Sequence, residues 1–279
     1  MSYEKIIYGV DEYGIARITL NDPARMNPLG WPMLAELDDA LKQAEKAENV
    51  RVIVIKGAGR CFSAGYDLAG DLFKGDEPKG QKAYGSDGIW NSRAHVQGHI
   101  EYWFNIWNLW KPVIAQVHGY CLAGATELAS ICDLMTISED CRFGYPPTRF
   151  MASGDAIALY AWHAGLKIAK EMAFGRILSG KECAQYGFAN NCFPVEKLEE
   201  ETTKMARKIA TIHPELLSLE KRQMCRTFDI MGFRTSIEYG GEFDSLSHKG
   251  QQLHLYQDAV KESGLSTAVK KLNEPWGGV

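Results

Sequence analysis

Apolar and polar positions along this chain fall into blocks whose period switches in a regular order. From Gly14 to Leu20, Ile15, Arg17 and Thr19 alternate with Ala16, Ile18 and Leu20, the period of a β-strand. Asn21-Asp22-Pro23 ends it. Leu34, Leu37, Leu41 and Ala44 then share one stripe, which predicts an amphipathic helix over Trp31–Ala47. Val52–Ile55 is a continuous apolar run of the kind buried on both faces, broken by Gly57-Ala58-Gly59. Residues 70–91 hold five glycines and scattered charges without a period, and read as a long loop or short helices that cover a site. An aromatic-rich helix is expected over His95–Trp110, a strand over Val113–Val117, a short helix over Gly124–Ile131 and a strand over Leu134–Ile137. Strand, glycine turn and helix thus recur, the pattern of a mixed α/β fold. Beyond Asp155 the chain reads as mainly helical, with amphipathic candidates at Glu196–Ile212, Pro214–Arg226 and Phe233–Leu255.

Composition narrows the class. The 279 residues are 46% hydrophobic, enough for a sizeable core and against disorder. A net charge of −4 gives no global field toward nucleic acid, though a local basic pocket for a phosphorylated ligand stays compatible with it. Seven cysteines, an odd count without a CxxC pair, read as reduced cytosolic thiols rather than a disulfide framework or a zinc site. Neither a basic leader followed by a long apolar run nor a membrane-length apolar stretch occurs, so a cytoplasmic protein is expected.

Two glycine-bearing segments carry the chemistry. Gly59-Arg60-Cys61-Phe62-Ser63-Ala64-Gly65-Tyr66-Asp67-Leu68 and Gly119-Tyr120-Cys121-Leu122-Ala123-Gly124-Ala125-Thr126-Glu127 each follow a β-rich apolar run. Small residues there let backbone N–H groups approach a ligand closely, and two such groups on one oxygen form an oxyanion hole. Glu127 follows Gly124 by one helical turn, so its carboxylate faces the same side. An oxyanion site beside a carboxylate suits chemistry next to a carbonyl.

These segments, in this order, resemble the enoyl-CoA hydratase/isomerase (crotonase) superfamily. Ile15-Ala16-Arg17-Ile18-Thr19-Leu20-Asn21-Asp22-Pro23 and Met26-Asn27-Pro28-Leu29 open the likeness, which runs to the helix near Lys197. Phe62-Ser63-Ala64-Gly65-Tyr66-Asp67-Leu68 is similar to the family's F-x-A-G-x-D-L signature, and Cys132-Asp133-Leu134 to its C-D-[IL] step. Leu178-Ser179-Gly180 with Ala184-Gln185-Tyr186-Gly187 is similar to its L-[TS]-G…A-x-x-x-G stretch. The resemblance implies a crotonase-type spiral of β-β-α units over residues 1–195 and a helical oligomerisation region over 196–279. It implies trimers or hexamers acting on acyl-CoA thioesters, with no separate cofactor and no metal. The oxyanion-hole N–H donors carry over to Tyr66 and Gly124, and the coenzyme A contacts to Ala64, Gly65 and Asp67. Losing one such donor typically costs ~3 kcal/mol in a transition state.

One departure bears on mechanism. The first hydratase glutamate carries over to Glu127, but the F-G-x-P-E strand reads Phe143-Gly144-Tyr145-Pro146-Pro147, with Pro147 where the second glutamate belongs. Asp155, in a position where some isomerases and a dehalogenase of the superfamily carry an aspartate, supplies a replacement carboxylate. Glu127 and Asp155 are therefore expected as an acid/base pair, although Asp155 also suits a helix N-cap. His95 and His99 read as structural or loop-facing, since Val96 stands where a metalloprotease motif needs glutamate. Tyr102, Trp103, Phe104, Trp107 and Trp110 read as core or as the wall of a bulky acyl pocket. Hydration or dehydration of a 2-enoyl-CoA leads. A double-bond isomerase or a hydrolase opening a cyclic β-keto acyl-CoA follows, and a non-catalytic binder of CoA esters or partners is the reading of another class.

Overall fold

The computed structural model describes residues 3–68, 89–154 and 156–278. Its strands are β1 (Ile6–Val10), β2 (Ile15–Leu20), β3 (Val52–Gly57), β4 (Val113–Val117), β5 (Tyr120–Leu122), β6 (Leu134–Ser138), β7 (Arg142–Gly144), β8 (Ile177–Ser179) and β9 (Asn191–Phe193). The larger sheet has the order β1-β2-β3-β4-β6-β9, parallel except for the antiparallel β1–β2 edge; β5, β7 and β8 form the smaller one. Strands alternate between the two sheets, β4 then β5, β6 then β7, and each pair leads into a helix. This is the β-β-α spiral of the crotonase fold.

The helices are α1 (Trp31–Lys46), α2 (Ile89–Asn108), α3 (Gly124–Ile131), α4 (Ala156–Ala173), α5 (Gly180–Tyr186), α6 (Val195–Ala210), α7 (Pro214–Ile230), α8 (Phe233–Ser247), α9 (Gln251–Ser263) and α10 (Leu265–Asn273). The apolar run at β3 is explained by burial on both faces. Ile53 and Ile55 enter the main core with α1, α2 and α3, while Val52 and Val54 meet Ala206, Met205 and Ile209 of α6. Alpha-6 therefore shares a core with the sheet. Lys221 ties α7 to the same body: its Nζ donates to Asp133 Oδ2 at 2.7 Å and to the Lys111 carbonyl at 3.0 Å. The same carboxylate oxygen accepts the Val113 N–H at 2.7 Å.

Several elements differ from the pattern reading, among them the short strands β5, β8 and β9. Strand β1 is additional; it is an edge strand in which only Ile6 is buried, so its alternation is faint. The helix expected over Phe233–Leu255 is two helices, because Gly250 takes an extended conformation (φ −78°, ψ 155°) and caps α9. Helix α4 is interrupted at Gly165, whose φ of 73° and ψ of 169° suit only glycine. Almost all of the loop expected over residues 70–91 lies outside the described residues, and the rest, from Ile89, opens α2. All seven cysteines carry free thiols, and burial pushes those of Cys61, Cys121 and Cys225 up. Among the described residues no helix is long and apolar enough to cross a membrane.

Candidate active site

The site is built where the turn after Phe62 meets the start of α3. Ser63 Oγ donates to the Asn27 carbonyl at 2.6 Å and accepts the Gly65 N–H at 3.0 Å, which fixes the turn. Gly65 has φ 97°. A Cβ there would lie 2.5 Å from the Leu122 carbonyl oxygen, 2.8 Å from Ala123 Cβ and 3.3 Å from the Gly124 nitrogen. Glycine thus lets the Gly65–Tyr66 backbone pass directly beside that of Gly124. Ala123 is held at φ 50°, ψ −129°, with its N–H on the Gly144 carbonyl at 2.9 Å. A non-glycine residue in that region stores ~1–3 kcal/mol of strain. Gly124 opens α3, so its N–H has no acceptor within the helix, and the helix dipole adds partial positive charge there.

Glu127 stands one turn into α3 and is fully buried. Its Oε2 accepts the hydroxyl of Tyr66 and, at 3.1 Å, the Nε1–H of Trp103. Two donors on one oxygen suit an ionised carboxylate. The Tyr66 ring lies flush on Gly124, where a Cβ would meet three ring carbons at 2.5–2.8 Å. The ring also contacts His99 at a centroid distance of 4.2 Å, and His99 stacks on Trp31 at 4.3 Å with the rings parallel within 1°.

A cavity of about 820 Å³ opens above this floor. Ala64, Tyr66, Asp67, Leu122 and Ala123 line one side, and Val96, His95 and His99 of α2 another. Tyr145, Pro147, Phe150 and Met151 face them, with Leu265, Val269 and Lys270 of α10 across the top. Arg25, Arg60 and Lys270 supply cationic groups to the wall, and Arg25 Nη2 meets Asp67 Oδ1 at 2.5 Å. Glu127 is not part of the lining. The cavity reaches Tyr66, and Tyr66 reaches Glu127.

Of the residues singled out from sequence, Ala64, Tyr66 and Asp67 line the cavity, Gly65 and Gly124 lie beneath it, and Glu127 lies one side chain deeper. Asp155 lies outside the described residues. Pro147 lines the cavity, and its carbonyl accepts the N–H groups of Phe150 at 3.1 Å, Met151 at 2.7 Å and Ala152 at 3.2 Å. The position that holds a glutamate in the family motif is here a backbone anchor. Trp110 is half exposed rather than core.

Sequence reasoning missed the side chain of Tyr66, the donor Trp103 and the histidine wall. His95, His99 and Trp103 recur every four residues, one face of α2, and that stripe was the available signal. Burial, with His248 nearby, pushes His95 down to about 3. Burial, then His95 and His248, drives His99 well below the usual histidine range. Both imidazoles are neutral at ordinary pH. Ser92, His248 and Asp244 lie in line, with Ser92 Oγ 2.7 Å from His248 Nδ1 and His248 Nε2 3.3 Å from Asp244 Oδ1. Ser92 is buried away from the cavity and donates to the Ser245 carbonyl at 3.1 Å, so this line of residues serves packing rather than nucleophilic attack.

Comparison with known proteins gives a consistent picture. A family profile described as enoyl-CoA hydratase/isomerase matches residues 11–254. The chain is 32% identical over 252 residues to a Mycobacterium tuberculosis protein provisionally named an enoyl-CoA hydratase, covering 86% of this chain and 79% of that protein. Its fold is similar to the crystal structure of an enoyl-CoA hydratase/isomerase from Xanthobacter autotrophicus Py2, with TM-score 0.87, 30% identity, and 98% and 99% of the two chains covered. An enoyl-CoA hydratase structure from Mycobacterium smegmatis gives TM-score 0.88 at 25% identity, over 98% and 95%.

Proposed function

We propose, because this chain belongs to the enoyl-CoA hydratase/isomerase (crotonase) family, that it acts on an acyl-CoA thioester through an enolate held in an oxyanion hole. The observation that carries the reading is the meeting of the Gly65–Tyr66 turn with the first turn of α3, one turn before a buried carboxylate. The backbone N–H groups of Tyr66 and Gly124 receive the thioester oxygen, and Ala64, Gly65 and Asp67 border the coenzyme A. Fixed donors of this kind act on charge that develops only as the enolate forms, which is why they lower the barrier rather than only tightening binding. Arg25, Arg60 and Lys270 suit the phosphates of coenzyme A.

Hydration or dehydration between a 2-enoyl-CoA and a 3-hydroxyacyl-CoA is the leading reaction, with Glu127 and Asp155 as its acid and base. Proline at position 147, its carbonyl fully engaged by three N–H groups, favours double-bond isomerisation as the second reading, because one carboxylate suffices to move a proton between two carbons. A mass screen over a panel of acyl-CoA thioesters separates them. A product heavier by one water supports hydration or ring-opening hydrolysis, one lighter by one water supports dehydration, and an unchanged mass with an altered absorption spectrum supports isomerisation. Binding of the panel without conversion by either route refutes the enzymatic reading.

Assembly as a homotrimer or hexamer belongs to the same proposal. Leu216, Leu219, Met224, Ile230, Met231, Tyr239, Phe243 and Leu246 of the α7–α8 region expose large apolar side chains, surface that a partner copy would cover. Light scattering at micromolar concentration tests this, and a monomer mass refutes it.

A further inference from the structure

We infer that Tyr66 is the group through which Glu127 exchanges a proton with the substrate, so that the two act as one relay rather than Glu127 acting directly. The inference rests on the acyl-CoA reading above and names a catalytic side chain within it. Among the described residues, the phenol is the side chain that lines the cavity and also bonds the carboxylate. Tyr66 lines the cavity, whereas Glu127 is fully buried and does not. The Tyr66 hydroxyl donates to Glu127 Oε2, and the indole of Trp103 donates to the same oxygen from the protein interior.

The ring is held so that the hydroxyl keeps this position. Its face covers the Cα of Gly124, where any Cβ would come to 2.5–2.8 Å from three ring carbons. On another side it contacts His99, which Trp31 backs as a parallel stack. Glycine at 124 is therefore needed for the tyrosine side chain as well as for approach to the backbone N–H. A thioester oxygen bound near the Gly124 N–H places its α-carbon within reach of a phenol lying on the same residue. An alanine or glycine at position 66 would leave the Glu127 carboxylate facing that carbon; a tyrosine interposes its oxygen.

The proton steps balance without another reactant. In the abstraction direction, the α C–H bond breaks and its electron pair enters the enolate. The proton forms a new bond to the Tyr66 oxygen while the phenol's own proton passes to Glu127 Oε2. Tyr66 ends neutral, Glu127 ends protonated, and the added negative charge sits on the thioester oxygen in the oxyanion hole. Protonation of an enolate runs the same two transfers backwards. The phenol gains one proton as it gives up another, so it carries no full charge at either end of the transfer. A carboxylate with two donors already on one oxygen is the state ready to accept the relayed proton.

The test uses the full-length protein, its Tyr66→Phe, Glu127→Gln and double variants, and a panel of 2-enoyl-CoA and 3-hydroxyacyl-CoA thioesters. Thioester affinity by calorimetry and thermal melts accompany each turnover measurement, so that a folded, binding-competent site is verified. Tyr66→Phe deletes one oxygen and keeps the ring. The expected result is a fall in turnover of about a hundredfold or more for each single variant. The double variant is expected to be no slower than the slower single one, as residues that act as a unit behave. Tyr66→Phe retaining turnover within about threefold of wild type, or losses that multiply in the double variant, overturns the relay while leaving the enolate chemistry intact. Wild-type protein that binds the thioesters and converts none of them overturns the enzymatic reading and the relay with it.

Discussion

Acidification is expected to weaken this fold through a histidine in the cavity wall. His95 is 1% exposed, with His99 at 4.8 Å and Trp31 at 5.3 Å between ring centroids, and burial holds its pKa at about 3. In the unfolded chain the same imidazole titrates near 6.5. Below that value the unfolded state takes up a proton that the folded state refuses. The stabilising contribution is therefore complete above about pH 6.5 and drains as the pH falls, by ~1.4 kcal/mol per unit, until about pH 3. At pH 5, one and a half units into that window, His95 alone removes ~2 kcal/mol from the stability present at pH 7. His99 and His163, both lowered mainly by burial, act in the same direction. A total stability of ~5–15 kcal/mol makes such a loss easy to measure. Urea denaturation at half-unit steps from pH 7 to 4.5, for wild type and His95→Gln, isolates the effect. The variant's curve of stability against pH should be shallower by ~1.4 kcal/mol per unit below pH 6, whatever its stability at pH 7. Parallel curves would show that His95 is protonated in the folded state or solvated there, and the argument from burial would fail.

Replacing Lys221 by alanine leaves Asp133 without its ammonium partner in a largely buried place, so a loss of ~3 kcal/mol is expected in a denaturation midpoint; a loss below ~1 kcal/mol would mean that the Val113 N–H and water suffice. Gly124→Ala drives a methyl into the Tyr66 ring and should lower turnover at least tenfold with the melt little changed, and wild-type turnover would mean that the ring yields freely. Ala123→Gly relieves a positive φ and should raise stability by ~1 kcal/mol, the strain relieved exceeding the added glycine entropy. A lowered denaturation midpoint in that variant would place the strain elsewhere.

The strands and helices that bury a clean stripe were legible from the chain alone. Trp31–Lys46, Val113–Val117 and Gly124–Ile131 follow directly from period and glycine punctuation, because burial on one face or both imposes that period. Strand β1 was not, since an edge strand with a single buried residue leaves almost no alternation. In the candidate site, the close placement of Gly65, Gly124 and Glu127 was readable because backbone approach and helical spacing are local properties. The contacts of the Tyr66 side chain were not, because they depend on α2 and α3 converging around it, and Tyr66, His99, Trp103 and Glu127 come from three separate segments. His95 and His99 were legible only in part, for a related reason. A pair four apart says that two imidazoles share a helix face, but only packing says which neighbour that face meets.

The cavity walls run from Arg25 to Gly278, with α10 above Tyr66. Arg149 fastens that late segment to the rim, its Nη1 on Asn273 Oδ1 at 2.8 Å and its guanidinium 4.8 Å from the Trp276 ring, while Met151 and Ala152 pack with Leu253, Tyr256 and Ala268. The sheet and the Gly65–Tyr66 turn are built from earlier residues and can condense first, whereas the cavity wall that α10 supplies waits for contacts of very long sequence separation. During synthesis the chain therefore acquires its sheet before its cavity is enclosed, and a ribosome-bound chain ending short of α10 would carry Tyr66 under an open sky.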